Sequence, residues 1–278
     1  MLTLKFGGTS MGSARRILDS VNIMIGRAQQ DRISVIVSAV AGVSNALQAA
    51  IDGCVTGGNP SSYVESIRKT HSDICAEIAS SIKGFDAKEV LKKIELNFEE
   101  LEKLLNGVAS FGECPESIHC RIMGMGELCC VPIVNAVLQA KNQNVLLLDS
   151  RRFIFTTGSQ KEGDPDYARS STALARYRDG AEPEQARILL FPGFVCSWIS
   201  HADAEPKMGL LGRNGSDFSA AIIGAGLGSS KVEFWTDVDG IYTADPRIVS
   251  DAILVEDMTY EEAMELSFFG SKVLHPKT

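Results

Sequence analysis

The sequence predicts an α/β protein whose central sheet is mainly parallel and is covered by helices on both faces. The chain has 278 residues, which is enough for one large α/β domain or two small ones. In its N-terminal part, short apolar runs alternate with segments of helical periodicity. Such βαβα alternation favours a parallel sheet between layers of helices.

The first elements follow this alternation in order. Residues 2–6 predict a short buried strand, and residues 14–28 predict a helix with apolar side chains on one face. The β-branched run 33–37 predicts a second buried strand, and a helix is expected from about Ala46. These four elements therefore predict the start of a parallel sheet covered by helices.

A helical excursion from the sheet is predicted over about residues 54–108. The sequence GGNPSS at 57–62 interrupts the alternation, and two long helical patterns follow at 61–82 and 87–105 with no strand between them. A further helical run covers 115–140. The excursion therefore adds helices without adding strands.

The second half returns to alternation. Residues 153–161 match no clear pattern, and Gly163-Asp164-Pro165 predicts a turn before a helix. The other predicted elements are strands at 145–148, 188–191 and 232–235, a hairpin at 196–211, and helices at 167–177, from the turn after Leu211 to about 227, and at 260–268.

Composition excludes several classes of function. The chain carries 27 Lys and Arg against 35 Asp and Glu, a net charge of −8, which argues against general binding to nucleic acid or to anionic membranes. Its seven cysteines show no paired metal spacing, and we expect reduced, mostly buried thiols. We find no signal-peptide core and expect no membrane-spanning stretch, so the prediction is a soluble cytoplasmic protein.

The most informative motif is LGRNGSDFSAA at 211–221. Its turn combines backbone N–H donors with Arg213 and Asp217 just before a helix, which suits phosphate and magnesium chemistry. The alternative is a polar turn in which Ser216 or Asp217 serves as the helix N-cap. From this motif alone, the two interpretations are equally supported.

A second glycine motif is KFGGTS at 5–10. Lys5 at the end of a strand, followed by Gly7 and Gly8, lets the backbone approach a phosphate that the ammonium group neutralises. The alternative is a glycine turn after an edge strand. The chain contains no P-loop sequence, and its other glycine clusters do not match the dinucleotide fingerprint.

Two further segments suggest a small-molecule pocket. VSAVAGVSNAL at 37–47 sets the hydroxyls of Ser38 and Ser44 at the carboxyl end of a strand, where open α/β sheets bind ligands. An ordinary serine N-cap is the alternative. Glu127 in GMGEL could hold a substrate ammonium group, or it could complement the dipole of a helix N-terminus.

The last two motifs follow the final predicted strand. WTDVDGIYTADPR at 235–247 contains Tyr242 and Arg247, which could frame a nucleobase and its phosphates. GSKVLHP at 270–276 provides Lys272.

Taken in order, these motifs resemble those of the aspartate kinases in the amino-acid kinase superfamily. The resemblance extends from Leu2 to Pro276, and the form GRNGSD is most similar to the kinase part of bifunctional aspartokinase–homoserine dehydrogenases. Position 44 is Ser where the family usually has Thr. Family members continue into regulatory ACT domains, and the bifunctional ones into a dehydrogenase. Because the sequence given ends at Thr278, we expect residues 1–278 to be the kinase catalytic domain without those parts.

The resemblance implies the three-layer α/β/α amino-acid kinase fold and transfer of a phosphoryl group from ATP to the β-carboxylate of L-aspartate, with Mg²⁺. It assigns Asp217 to the metal, and Lys5, Arg213 and Asp217 to catalysis. The implied amino-acid site consists of Ser38, Ser44, Glu127 and Arg213. The implied nucleotide site consists of Lys5, Gly7, Gly8, Thr236, Asp237, Tyr242, Arg247 and Lys272.

Other functions stay open from sequence. A kinase acting on glutamate or N-acetylglutamate is the alternative within the superfamily, and a non-catalytic domain that binds amino acid or nucleotide is the alternative outside enzymes. The expected partners are L-aspartate and ATP, with no nucleic acid and no membrane, and a homodimer is possible.

Overall fold

A computed structural model describes residues 1–180, 186–201, 205–244, 248–268 and 278. Its centre is a sheet of five strands in the order β3-β6-β2-β1-β9, in which every neighbouring pair is parallel. The strands are β1 (Leu2–Phe6), β2 (Ile33–Val37), β3 (Val145–Leu147), β6 (Ile188–Pro192) and β9 (Lys231–Trp235). The predicted parallel sheet is confirmed.

Helices cover both faces of this sheet. Leu4, Phe6 and Val35 point to one face and pack into a core shared with α1 (Ala14–Gln30) and α5 (Glu116–Ala140). Ile36 and Phe191 point to the other face, where α7 (Gly215–Gly226) supplies part of a second core. Since successive strand residues face opposite sides, fully buried strands need apolar side chains on both, and these runs provide them.

The helical excursion consists of α3 (Pro60–Ser81) and α4 (Ala87–Phe111), next to α2 (Val43–Val55). Asn59 and Asp86 cap the two long helices by accepting hydrogen bonds from first-turn N–H groups. Phe98 and Leu101 of α4 are buried in the same core as α1 and α5. The two predicted helices are therefore present, and α4 extends six residues beyond its predicted end at 105.

A second, smaller sheet has the order β5-β4-β7-β8. β7 (Val195–Trp198) and β8 (Lys207–Leu210) form the predicted antiparallel hairpin. The turn predicted at 163–165 is wrong in part, because Asp164–Pro165 forms the short strand β5. This strand pairs with β4 (Phe155–Thr157), which lies in the segment that sequence patterns left unassigned. Helices α6 (Tyr167–Asp179) and α8 (Tyr260–Phe268) lie where they were predicted.

Helix α5 corrects one expectation from the sequence. It is long and apolar enough to cross a membrane by length and composition, contrary to the prediction that no such stretch exists. In the structure 67% of its most apolar window is buried inside the fold, as is typical of a core helix. All seven cysteines are free thiols and six of them are buried, as predicted.

Candidate functional site

Four of the predicted site residues follow strands that end at one edge of the parallel sheet, namely Gly7, Gly8, Ser38 and Thr236. Beyond the strands, backbone hydrogen bonds still join their chains: Gly7 N–H donates to Trp235 O at 3.3 Å, and Ser38 N–H donates to Phe6 O at 3.1 Å. Gly193 N–H donates to Val37 O at 2.8 Å. The segments after β1, β2, β6 and β9 are therefore held side by side, where doubly wound sheets bind ligands.

Lys5 and Asp217 form an ion pair at this edge. Lys5 lies on the face of β1 that α7 covers, and its Nζ is 2.6 Å from Asp217 Oδ1. The side chains are 14% and 7% exposed, so the pair is largely shielded from solvent. Helix α7 approaches β1 closely because Gly224 has no side chain: a Cβ there would lie 3.0 Å from Thr3 Oγ1.

The turn before α7 adopts left-handed backbone geometry at two positions. Gly212 has φ +80° and Asn214 has φ +58°, and Asn214 is the N-cap of α7. Glycine and asparagine tolerate this region better than other residues. The alternative in which Ser216 or Asp217 caps the helix is therefore wrong. Both lie in its first turn, 6% and 5% exposed.

Glu127 is a buried carboxyl in the middle of α5, 4% exposed. Its interpretation as a residue at a helix N-terminus is therefore wrong. Burial raises its pKa to about 8, although the Ala39 backbone N–H, the Ser216 hydroxyl and the charge of Lys5 oppose the shift. Its Oε2 atom has no hydrogen-bond partner among the described residues. A buried carboxyl oxygen without a hydrogen-bond partner is costly, so this oxygen is suited to a ligand that can supply that partner.

Close packing at two glycines brings other groups to Glu127. At Gly126 a Cβ would lie 2.8 Å from the Ala39 Cβ, so α5 can lie against the chain that follows β2 only with glycine there. At Gly193 a Cβ would lie 2.7 Å from Ser216 Oγ. From the sequence, Ser216 was expected only as a cap, whereas in the structure its hydroxyl lies beside Glu127. The Pro-Gly pair ending β6 was the available signal for close approach.

The glycines after β1 differ in what they offer. The Gly7 N–H is already donated to Trp235 O, and a Cβ at Gly7 would lie 3.3 Å from Lys5 Nζ. Gly7 therefore makes room for the ammonium group. Gly8 begins a 3-10 helix over Gly8–Met11, and a Cβ there would lie 3.3 Å from Ala39 O. Strand β1 lies between β2 and β9, so the alternative of a glycine turn after an edge strand is wrong.

The two predicted serines have different surroundings. Ser38 directly follows β2 and is partly buried, whereas Ser44 is exposed in the first turn of α2. The N-cap of α2 is Gly42, with φ +82°, so the serine N-cap alternative is wrong and the helix begins three residues before the predicted Ala46. Arg213 is exposed, and its guanidinium makes no hydrogen bond or ion pair with a described residue.

The residues after β9 are exposed or partly exposed. Thr236 Oγ1 donates to Asp237 Oδ1 at 3.1 Å, and the Tyr242 hydroxyl donates to Asp239 Oδ2 at 3.4 Å. Thr236 follows Trp235, whose carbonyl accepts from Gly7, so it adjoins the end of β1. Arg247 and Lys272 lie outside the described residues.

Comparisons with known proteins match both the sequence and the fold of this chain. The sequence profile of the amino acid kinase family matches residues 1–278. A bifunctional aspartokinase/homoserine dehydrogenase of Buchnera aphidicola is 34% identical over all of this chain, which spans 33% of that relative. An aspartokinase of Chlamydia trachomatis is 33% identical over 99% of this chain and 57% of its own length.

A solved structure is also similar. Escherichia coli aspartokinase III in complex with aspartate and ADP superposes with a TM-score of 0.86 at 27% identity, over all of this chain and 58% of that one. The chain thus spans between a third and three fifths of the length of these relatives. The profile match and the shared fold show that the chain belongs to the amino acid kinase family.

Proposed function

We propose that this chain transfers the γ-phosphoryl group of ATP to the β-carboxylate of L-aspartate, giving 4-phospho-L-aspartate and ADP. The observation that carries the proposal is the buried Glu127, with its unpartnered Oε2, beside the shielded Lys5–Asp217 pair. The ammonium group of a substrate would donate a hydrogen bond to Glu127, and a phosphate would bind to Lys5 of the ion pair. The aspartokinase relatives, and the bound aspartate and ADP named for the Escherichia coli structure, support the same substrates.

The amino acid is proposed to bind between α5 and the turn before α7. Glu127 would accept hydrogen bonds from the substrate ammonium, which also favours its ionised form. Arg213 is exposed and uncommitted, and its planar fork suits the α-carboxylate. Ser38 and Ser44 would close the pocket after β2.

The nucleotide is proposed to bind across the ends of β1 and β9. Lys5 would neutralise the phosphates, Gly7 leaves space for its ammonium, and Gly8 would let the backbone approach. The remaining predicted nucleotide residues are Thr236, Asp237, Tyr242, Arg247 and Lys272.

The donor set fits a magnesium ion that is bound mainly through phosphate oxygens. Over the residues that the structure describes, no group of three His, Cys, Asp or Glu side chains could hold a metal alone. Mg²⁺ is commonly held by one or two carboxylates together with substrate phosphates and water, and Asp217 is a carboxylate suited to that role. When bound, Mg²⁺ would offset the charge of the phosphoryl oxygens.

This chemistry needs no general base. The nucleophile is a carboxylate oxygen, which has a pKa of about 4 in water and is ionised at neutral pH. That oxygen forms a bond to the γ-phosphorus while the bond to the β,γ-bridging oxygen breaks, and ADP leaves without proton transfer. The protein therefore has to position two anions and offset their repulsion, which is the work proposed for Lys5 and Arg213.

The remaining expectations are proposed with the function. Residues 1–278 would form the catalytic domain, in which α3 and α4 are the excursion, and it would act in amino-acid biosynthesis in the cytoplasm. Free, buried thiols are consistent with a reducing compartment. A homodimer stays a prediction, which light scattering coupled to size-exclusion chromatography would test.

The deciding experiment compares substrates and separates binding from turnover. ADP release would be measured with Mg-ATP and L-aspartate, L-glutamate or N-acetyl-L-glutamate, alongside calorimetric titration with Mg-ATP. We expect turnover with L-aspartate above all. Preference for either glutamate compound would indicate another carboxylate kinase, and nucleotide binding without turnover would indicate a binding domain.

A further inference from the structure

A cleft on a different face of α5 from Glu127 has the features of a second ligand site. It encloses about 510 Å³ between α4, α5, the turn at 150–152, the loop after β4 and the start of β8. Ser117, Arg121, Met125 and Leu128 of α5 line it. Their spacing puts them on one helix face, which is more than a quarter turn from Glu127.

The cleft is cationic in an acidic protein. Arg121, Arg151 and Lys207 line it with one carboxylate, Glu100. Asp149 pairs with Arg151 beside the cleft, so Lys207 supplies the positive charge in excess, whereas the whole chain has a net charge of −8. A local excess of positive charge of this kind would attract anions that the overall field repels.

Carboxylates hold the two arginines in position, and each arginine keeps N–H groups that are not hydrogen-bonded to a described residue. Arg121 donates to Glu100 from Nε at 3.0 Å and from Nη2 at 2.5 Å. Arg151 donates to both oxygens of Asp149 through Nε and Nη2. The Nη1 atoms of Arg121 and Arg151 make no hydrogen bond with a described residue, and Lys207 forms no ion pair with a described residue. Three cationic groups therefore keep donors available.

The base of the cleft is apolar. Met125 is 3% exposed, and Met208 lies against Gly124, where a Cβ would be 2.9 Å from the Met208 Sδ. The Gln160 side-chain amide donates to Met208 O at 2.6 Å, which ties β8 to the loop after β4. Methionine side chains adapt to the shape of an apolar ligand, and the backbone around them is held in place.

We propose that this cleft binds a small organic anion in which a phosphate or carboxylate head is joined to an apolar body. The head would engage Arg151 and Lys207, with Arg121 beside them, and the body would lie on Met125 and Met208. Arginine donates in a fork to either type of head. A volume of about 510 Å³ exceeds what a bare inorganic anion fills and is within the range of small-molecule sites. None of these residues belongs to the proposed kinase site.

The test uses methyl-labelled methionine in the whole chain, with phenyl phosphate as the probe. Resonances would be assigned by Met125→Leu and Met208→Leu. We expect phenyl phosphate to shift the Met125 and Met208 methyl signals in a saturable way, with no shift at Met24, which is fully buried in the sheet core. Inorganic phosphate and phenol are the separate halves of the probe, and each should bind more weakly than phenyl phosphate by about tenfold or more.

Variants test the charge requirement. Lys207→Met, alone and with Arg151→Gln, should weaken phenyl phosphate binding, by about tenfold for the pair. Arg178→Gln is the matched control, because Arg178 also forms a two-point ion pair with a neighbouring aspartate, Asp179, and should leave the affinity unchanged. Unmoved Met125 and Met208 signals at saturating millimolar probe would overturn the proposal. Equal affinity in all variants would also overturn it. The methyl spectra without ligand show whether each variant is folded, so a misfolded variant can be recognised.

Discussion

Glu127 makes the stability of the fold depend on pH in a way that can be calculated. Burial raises the pKa of its carboxyl from 4.5 to about 8. Between those values the folded chain keeps a proton that the unfolded chain has lost, so unfolding becomes easier as the pH rises. The slope for one proton is about 1.4 kcal/mol per pH unit. Integrated from pH 5.5 to pH 8.5, across the folded pKa, this group lowers the free energy of unfolding by about 3 kcal/mol.

Glu127→Gln keeps the shape of the side chain and removes its titration. We expect the parent to lose about 3 kcal/mol more stability than this variant between pH 5.5 and pH 8.5, as measured by urea unfolding followed by circular dichroism. The matched control is Glu77→Gln, because Glu77 is exposed on α3 and its substitution should leave the parent's pH dependence intact. Equal pH dependence in the parent and Glu127→Gln would refute a buried, protonated Glu127.

Three other substitutions test separate parts of the structure. Lys5→Met should lower kcat for ADP release by about 100-fold or more, whereas substitution of the exposed Lys231 by Met should leave kcat unchanged. A normal kcat in Lys5→Met would show that Lys5 does not bind the phosphates. Gly193→Ala would put a methyl group 2.7 Å from Ser216 Oγ. It should therefore raise the KM for aspartate and lower the free energy of unfolding in urea by about 1–3 kcal/mol. Wild-type values for both would contradict this close contact. Phe98→Ala should lower the free energy of unfolding by about 3–5 kcal/mol, and a decrease below about 1 kcal/mol would show that α4 lies outside the core.

Much of the fold could be predicted because its strands are buried on both faces. Continuous apolar runs such as 33–37 and 188–191 identify strands without alternation, and long periodic segments identify α3 and α4. Short strands of the second sheet escaped prediction. Asp164–Pro165 contains a typical turn residue pair and becomes a strand only because β4 lies beside it. That pairing depends on the tertiary structure.

The candidate site could be predicted as a set of residues but not as an arrangement. Lys5 and Asp217 were both predicted from local motifs, yet their ion pair depends on how α7 packs on β1. Local sequence also gave the wrong surroundings for Glu127, since a glutamate after glycines is typical of a helix start. Its burial and the nearby Ser216 hydroxyl arise from close packing at Gly126 and Gly193.

Trapping the product would decide whether this chain phosphorylates the β-carboxylate of L-aspartate. Acyl phosphates react with hydroxylamine to give hydroxamates, which mass spectrometry can detect and fragment. With Mg-ATP, L-aspartate and hydroxylamine, we expect aspartate β-hydroxamate in an amount equal to the ADP released, and none without the chain. ADP release without any hydroxamate, or formation of the α-hydroxamate, would contradict it.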